Sequence, residues 1–208
     1  ALVASFFHYR GFGRENQISE FPIIYRAMDS GYLPNDFYTN RASEFGPRYL
    51  YAKFIALISS EGSLPTIAFL IILLINIAIA LITFFLARDI YKGSNLAAFL
   101  AAFIVMTVKT FDLGYLARIY ANQLISSDLV VPFIFVAFWA AYRFRPYLPA
   151  FSAGIAVLIH PAFGAECGVL AFLLLLVRLV IIKVKHLGVE RHVAHGVRAL
   201  NKSFWTHL

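Results

Sequence analysis

Charge is what this chain has least of: Asp, Glu, Lys and Arg make up 14% of its 208 residues, while 61% are apolar. Soluble globular domains run nearer about 25% charged and about 45–50% apolar, so a water-soluble core cannot hide this much apolar surface. Cysteine is nearly absent too. The lone Cys167 excludes an intramolecular disulfide, and with it any need for an oxidising compartment; it reads as a small apolar helix residue. No G-x-x-x-x-G-K-[ST] run occurs, which excludes a P-loop ATP motor in this chain. HExxH and GxSxG are missing as well, and Gly11-Phe12-Gly13 lacks the strand and helix context of a dinucleotide fingerprint. There is no internal repeat and no low-complexity tract.

What is present is a series of long apolar runs. Thr66 to Ala87 carries no charge and is longer than the roughly 20 residues needed to cross a hydrocarbon core of about 30 Å. Shorter runs follow at Leu96–Val108, Leu129–Tyr142, Tyr147–Ile159 and Gly168–Ile182. They are flanked by Lys109, Arg143, Arg145, Arg178, Lys183 and Lys185, whose stems can lie in an apolar zone while their heads reach its edge. The expected fold is therefore all-α, a polytopic transmembrane helix bundle over residues 65–184. Residues 1–7, ALVASFF, read as the remnant of a first transmembrane helix, residues 8–64 as an extracytoplasmic loop, and residues 185–208 as a cytoplasmic interfacial helix.

Charge placement orients this bundle. If the helices alternate sides, Arg88–Asn95, Arg143–Pro146 and the tail from Arg178 share one face, with ten Lys and Arg against only Asp89 and Glu190. On the other face, His8–Leu64 and Lys109–Asp128 carry cations and acids in balance. Short basic loops mark the cytoplasmic side, which makes the long first loop extracytoplasmic. The net charge of +7 thus follows from topology, and no nucleic-acid partner is expected. Within the first loop, Ile18, Phe21, Ile24, Tyr25 and Met28 recur at helical spacing up to the breakers Gly31 and Pro34. A second helix is expected over Arg48–Ser60 with Tyr49, Leu50, Phe54 and Leu57 facing apolar surroundings. Val189, Val193, Val197, Leu200, Phe204 and Leu208 form another stripe. With basic residues opposite it and Trp205 as anchor, this tail predicts an amphipathic helix along the inner leaflet, and His186, His192 and His195 read as its polar face rather than metal ligands.

Polar residues that could carry chemistry fall in three segments of the extracytoplasmic face. The first holds Glu15, Glu20, Asp29 and Asp36, interleaved with Arg14, Tyr25 and Arg26, residue types that hold a phosphate or a sugar hydroxyl. Asp29, in a last helical turn, and Asp36, in an LPND turn, also have structural readings. The second segment holds Asp112 and Arg118 with Tyr120, Asn122 and Asp128. The third is the turn IHPAFGAECG, with His160 and Glu166; ionisable groups at membrane depth are costly and often functional. Asn76, inside the longest run, is expected to make an interhelical hydrogen bond.

The runs ENQISEFPIIYRAMDSGYLPNDFYTN and RYLYAKFIALIS, then LARDIYKGSNLAAFLAAF and SAGIAVLIHPAFGAECGVLAFL, together resemble the amino-terminal half of bacterial membrane glycosyltransferases of the GT-C superfamily. The resemblance covers residues 8 to about 182. It implies a polyprenyl-phosphate sugar donor, an essential acid in the first extracytoplasmic loop, and a multi-pass protein of the bacterial inner (plasma) membrane. The superfamily's paired-acid signature (Asp-Asp, Asp-Glu or Asp-x-Asp) is absent, Glu15 being followed by Asn16. On this reading Glu15 is the expected general base, with Asp29 and Asp36 as the other catalytic acids. Arg14, Glu20, Arg26, Asp112, Arg118, His160 and Glu166 are expected around the substrate. A divalent metal (Mg or Mn) is one way to hold the departing phosphate, and membrane lipid and other membrane subunits are the expected partners. The rival expectation is a non-catalytic polytopic membrane protein, a transporter half or an assembly subunit.

Overall fold

The computed structural model describes residues 9, 11–14, 16–44, 46–107 and 121–186, and every described element is helical. In chain order these are α1 (Gln17–Met28), α2 (Phe37–Ser43), α3 (Tyr49–Ile58), α4 (Leu64–Ile90), α5 (Asn95–Thr107), α6 (Ser126–Tyr142), α7 (Tyr147–Ile159) and α8 (Pro161–His186). The remnant expected at 1–7 and the tail helix expected at 187–208 lie outside the described residues.

Local chemistry sets the boundaries. Asp36 caps α2, its Oδ2 accepting from the Thr39 N–H at 2.6 Å, which satisfies one of the donors a helix start leaves open. Asp29 closes α1, and its Oδ1 accepts from the Gly31 N–H at 2.8 Å. α6 ends with the Phe144 N–H donating to the Ala141 carbonyl and the Arg145 N–H to the Ala140 carbonyl. These are the two bonds of a Schellman stop, with Phe144 at φ 57° where glycine is usual. Between α7 and α8 the expected turn shrinks to a single residue, His160. Pro161, which has no N–H to satisfy, opens α8 directly, so Gly164 and Glu166 sit inside a helix.

α4 packs against α5 and α6, and α6, α7 and α8 pack on one another. The short helices form a cap in which α1 contacts α2 and α3, and α3 reaches α7. Phe21 and Ile24 of α1, Tyr51 and Ile55 of α3, Ala68, Ile72 and Ile79 of α4, and Leu124 make one buried cluster. A second, between α6, α7 and α8, consists of Ala137, Ala153, Cys167 and Ala171. Small side chains let these helices approach closely. The closest approach is at Gly164, where a Cβ would overlap the backbone of Ala156 and Val157.

Two helices, Leu64–Ile90 and Pro161–Lys183, are long and apolar enough to cross a membrane. Most of their residues are not buried. Leu74 is 64% exposed and Val180 60% exposed, whereas a core helix of a soluble protein hides such side chains. α1 keeps most of its expected stripe, with Phe21 and Ile24 buried and Tyr25 and Met28 packed against the same cluster. α3 buries Tyr51, Ala52 and Ile55 and leaves Leu50, Phe54 and Leu57 outside, and Ile18 lies off the buried side of α1. Both sides of α3 are apolar, so its pattern does not distinguish them.

Asn76 bonds to backbone rather than to another helix's side chain. Its Nδ2 donates to the Ala121 carbonyl and its Oδ1 accepts from the Ala121 N–H, both at 2.8 Å. Ala121 belongs to non-helical chain whose described residues 121–125 are buried throughout. Asn76→Leu strands both groups of Ala121, and at about 1–3 kcal/mol per unsatisfied buried group the unfolding free energy should fall by about 2–4 kcal/mol in denaturant titration. Gly164→Ala should cost about 3 kcal/mol, the upper range for overpacking, while Gly154→Ala, inside a helix with open space around it, should instead stabilise by up to about 1 kcal/mol.

Candidate functional site

Where the cap meets the bundle, Glu20 is buried, 3% exposed, against the first turn of α6. Its Oε2 accepts from the Ser126 N–H and its Oε1 from the Ser126 hydroxyl, both at 2.8 Å. Arg48, just ahead of α3, places Nε 3.1 Å from the same Oε1. The carboxylate therefore does two jobs. It supplies negative charge to the positive end of α6 and it holds a guanidinium in place. Burial pushes the Glu20 carboxyl above its ordinary range, while the Ser126 bonds and the Arg48 charge pull it back. The Tyr51 phenol, driven well up by burial, stays protonated and donates to the Leu124 carbonyl at 3.1 Å.

Two polar side chains of this network remain available to a ligand. Arg48 uses Nε on Glu20 and one Nη1 bond, at 3.3 Å, to the Tyr38 hydroxyl, and a guanidinium has donors to spare beyond these. His160, the hinge between α7 and α8, is half-buried. Burial lowers its pKa, helped by the nearby Arg48 charge. Its Nδ1 accepts from the Phe163 N–H at 3.4 Å, so the neutral ring carries its proton on Nε2, as a donor. Alongside runs an apolar groove of about 370 Å³ lined by Leu50, Tyr51, Phe54, Leu129, Phe133, Ile155, Leu158 and Ile159. Ile159 adjoins His160 and Leu50 lies two positions after Arg48. The groove is apolar throughout, and two hydrogen-bond donors, one of them cationic, stand within two residues of its lining in the sequence.

The expected site residues are distributed unevenly. Glu20 and His160 come together through Arg48. Arg26 donates from Nη1 to the Tyr32 carbonyl at 2.8 Å. Asp36 serves as a helix cap, and Asp29 closes α1 while lining a separate open cleft with Lys53 and Glu61. Arg14 precedes α1, its carbonyl accepting from the Gln17 N–H. Glu166 is exposed on α8 and acts on His160 through its charge. Glu15, Asp112 and Arg118 lie outside the described residues. Sequence reading missed Arg48, although a cation beside the positive start of an apolar helix is unfavourable unless an acid meets it. Among the described residues there is no group of three His, Cys, Asp or Glu suited to a metal ion.

No protein-family model matches the chain, nor does any curated protein or solved structure.

Glu20→Ala leaves Ser126 and Arg48 without their acceptor and should lower stability by about 2–3 kcal/mol. The pH dependence has a defined sign. Because the folded carboxyl holds its proton more tightly than the unfolded one, stability falls as pH rises from about 4.5 through the raised folded value, and is then flat. Thermal melts should show this trend in wild type relative to Glu20→Gln; parallel pH profiles would contradict it.

Proposed function

We propose that this chain works as a multi-pass membrane glycosyltransferase of the GT-C type, moving a sugar from a polyprenyl-phosphate donor to an acceptor on the extracytoplasmic face of the bacterial inner membrane. The observation that carries this reading is the apolar groove together with Arg48 and His160, which stand within two residues of its lining residues Leu50 and Ile159 and feel one another's charge. A long isoprenoid needs a dry channel, and its phosphate needs donors at the channel's end. The membrane reading draws on the exposed apolar sides of α4 and α8 and on the small-residue seam of α6, α7 and α8. The groove lies at the opposite end of α7 from Arg143 and Arg145, so the positive-inside rule gives it the extracytoplasmic side.

In the transfer, the acceptor hydroxyl attacks the anomeric carbon and gives up its proton as the bond from that carbon to the phosphate oxygen breaks. Glu15 takes the proton. The Arg48 guanidinium and the His160 Nε2–H hold the departing phosphate. Glu20, Asp29 and Asp36 are engaged by backbone N–H groups, the Ser126 hydroxyl or Arg48 rather than grouped as a metal-ligand set among the described residues.

The same commitment of Glu20, Asp29 and Asp36 favours the second reading, a non-catalytic transporter half or assembly subunit that retains a lipid-phosphate groove. Reconstituted protein supplied with a polyprenyl-phosphate sugar separates the two. As an enzyme it transfers sugar, and Glu15→Gln lowers turnover by about 10²- to 10⁴-fold without loss of insertion. Glu15→Gln retaining turnover, with Asp29→Asn or Asp36→Asn abolishing it, moves the base to a later acid. Donor binding without transfer favours the non-catalytic reading.

A further inference from the structure

At the far end of the bundle a different set of groups converges. The end of α4 presents Asp89, which accepts from Arg143 twice, at 2.6 Å from Nε to Oδ2 and 2.6 Å from Nη2 to Oδ1, and from the Trp139 indole N–H at 2.8 Å. Arg143 also lies over the Trp139 ring, 5.6 Å from its centre. This three-sided pairing neutralises Arg143 and fixes the end of α6. The Schellman stop then turns the chain within Arg143–Pro146 and carries Arg145 out, exposed and without an ion pair to any described residue. Between the end of α6 and the start of α7 lies a cavity of about 470 Å³, lined by Trp139, Ala140, Arg143, Arg145, Pro146, Tyr147 and Leu148. On the same end Arg178 of α8 stacks on Tyr142, 4.9 Å from the ring centre, with a buried Nε that has no hydrogen-bond partner among the described residues.

We infer that this cavity is a binding site for the headgroup of an anionic phospholipid of the cytoplasmic leaflet, with Arg145 as its principal cation. Charge sets the sign of the ligand. Arg88, Lys92, Arg143, Arg145, Arg178 and Lys183 share this end with Asp89, and Asp89 is already consumed by Arg143. Shape and polarity point to a lipid rather than a soluble phosphate. The walls are Trp139, Ala140 and Leu148, and beyond the rim α7 continues with exposed Leu148 and Phe151, one turn apart, a track for an acyl chain. Tyr147, 89% exposed at the rim, is the amphipathic type that settles at headgroup depth. The inference rests on the membrane reading above but not on the transferase activity.

The test is lipid retention by full-length protein reconstituted in neutral phosphatidylcholine vesicles and titrated with phosphatidylglycerol, read by native mass spectrometry after detergent extraction. Wild type should retain phosphatidylglycerol over phosphatidylcholine. Arg145→Gln, which leaves the Asp89–Arg143–Trp139 cluster intact, should weaken retention about fivefold, as expected for one cation near an anionic surface, while Arg145→Lys keeps most of it. Millimolar inorganic phosphate should not compete; displacement by it assigns the site to soluble phosphate and overturns the lipid inference. Equal retention of the two lipids, or Arg145→Gln behaving as wild type, overturns it as well. Failure of the protein to insert into neutral vesicles at all overturns the membrane reading and this site together, whereas insertion without lipid preference overturns this site alone.

Discussion

A buried stretch of backbone that is neither helix nor strand must have its amide groups met by side chains, or it cannot stay out of water. Residues 121–125 pose that problem in the middle of this protein, and the rest of the fold is arranged around it. Asn76 matches both groups of Ala121, Asp128 takes the Asn122 N–H, Tyr51 reaches the Leu124 carbonyl, and Glu20 receives the Ser126 N–H that opens α6. These four side chains come from α4, α6, α3 and α1 respectively. The stretch thereby ties the cap helices to the long helices. Asn76 lies about 18 Å along α4 from its start at the usual rise per residue, so non-helical chain runs deep against the most apolar helix. Within a bilayer such chain is tolerated only where protein covers it.

The candidate site is a by-product of the same constraint. Glu20 sits at the start of α6 because that N–H needs an acceptor, and its charge there fixes Arg48 beside the groove. Both its oxygens are already engaged, Oε2 by the Ser126 N–H and Oε1 by the Ser126 hydroxyl and Arg48. Buried ion pairs contribute little net stability compared with apolar replacements, but removal of one partner is expensive. The network is therefore better suited to holding donors still than to exchanging protons.

The helices were legible in the sequence because their signals are local. Uncharged runs gave α4 to α7 nearly at their observed limits, while α8 begins seven residues before its run, at Pro161, and α2 was not foreseen; Asp29, Gly31, Pro34 and Asp36 marked the break after α1. The structural readings of Asp29 and Asp36 rest on neighbours two and three residues away. The site was not legible in this way. Glu20 meets Ser126 across 106 positions and Asn76 meets Ala121 across 45, and no periodicity encodes such pairs. Which side of α3 packs inward was not legible for a different reason. Where the surroundings of a helix are apolar on both sides, hydrophobic pattern loses its power to say which face is inside, and Tyr51, Ala52 and Ile55 are distinguished from Leu50, Phe54 and Leu57 only by what they touch.

The central claim is that side chains, not secondary structure, secure the buried stretch and join the two parts of the protein. Residue-resolved hydrogen exchange of the reconstituted protein addresses it directly. The account predicts that the Ala121 and Ser126 amides exchange as slowly as amides in the middle of α4, although Ala121 lies in non-helical chain and Ser126 in the first turn of α6. Exchange of both at the rate of the exposed turn at Gly31 would contradict it.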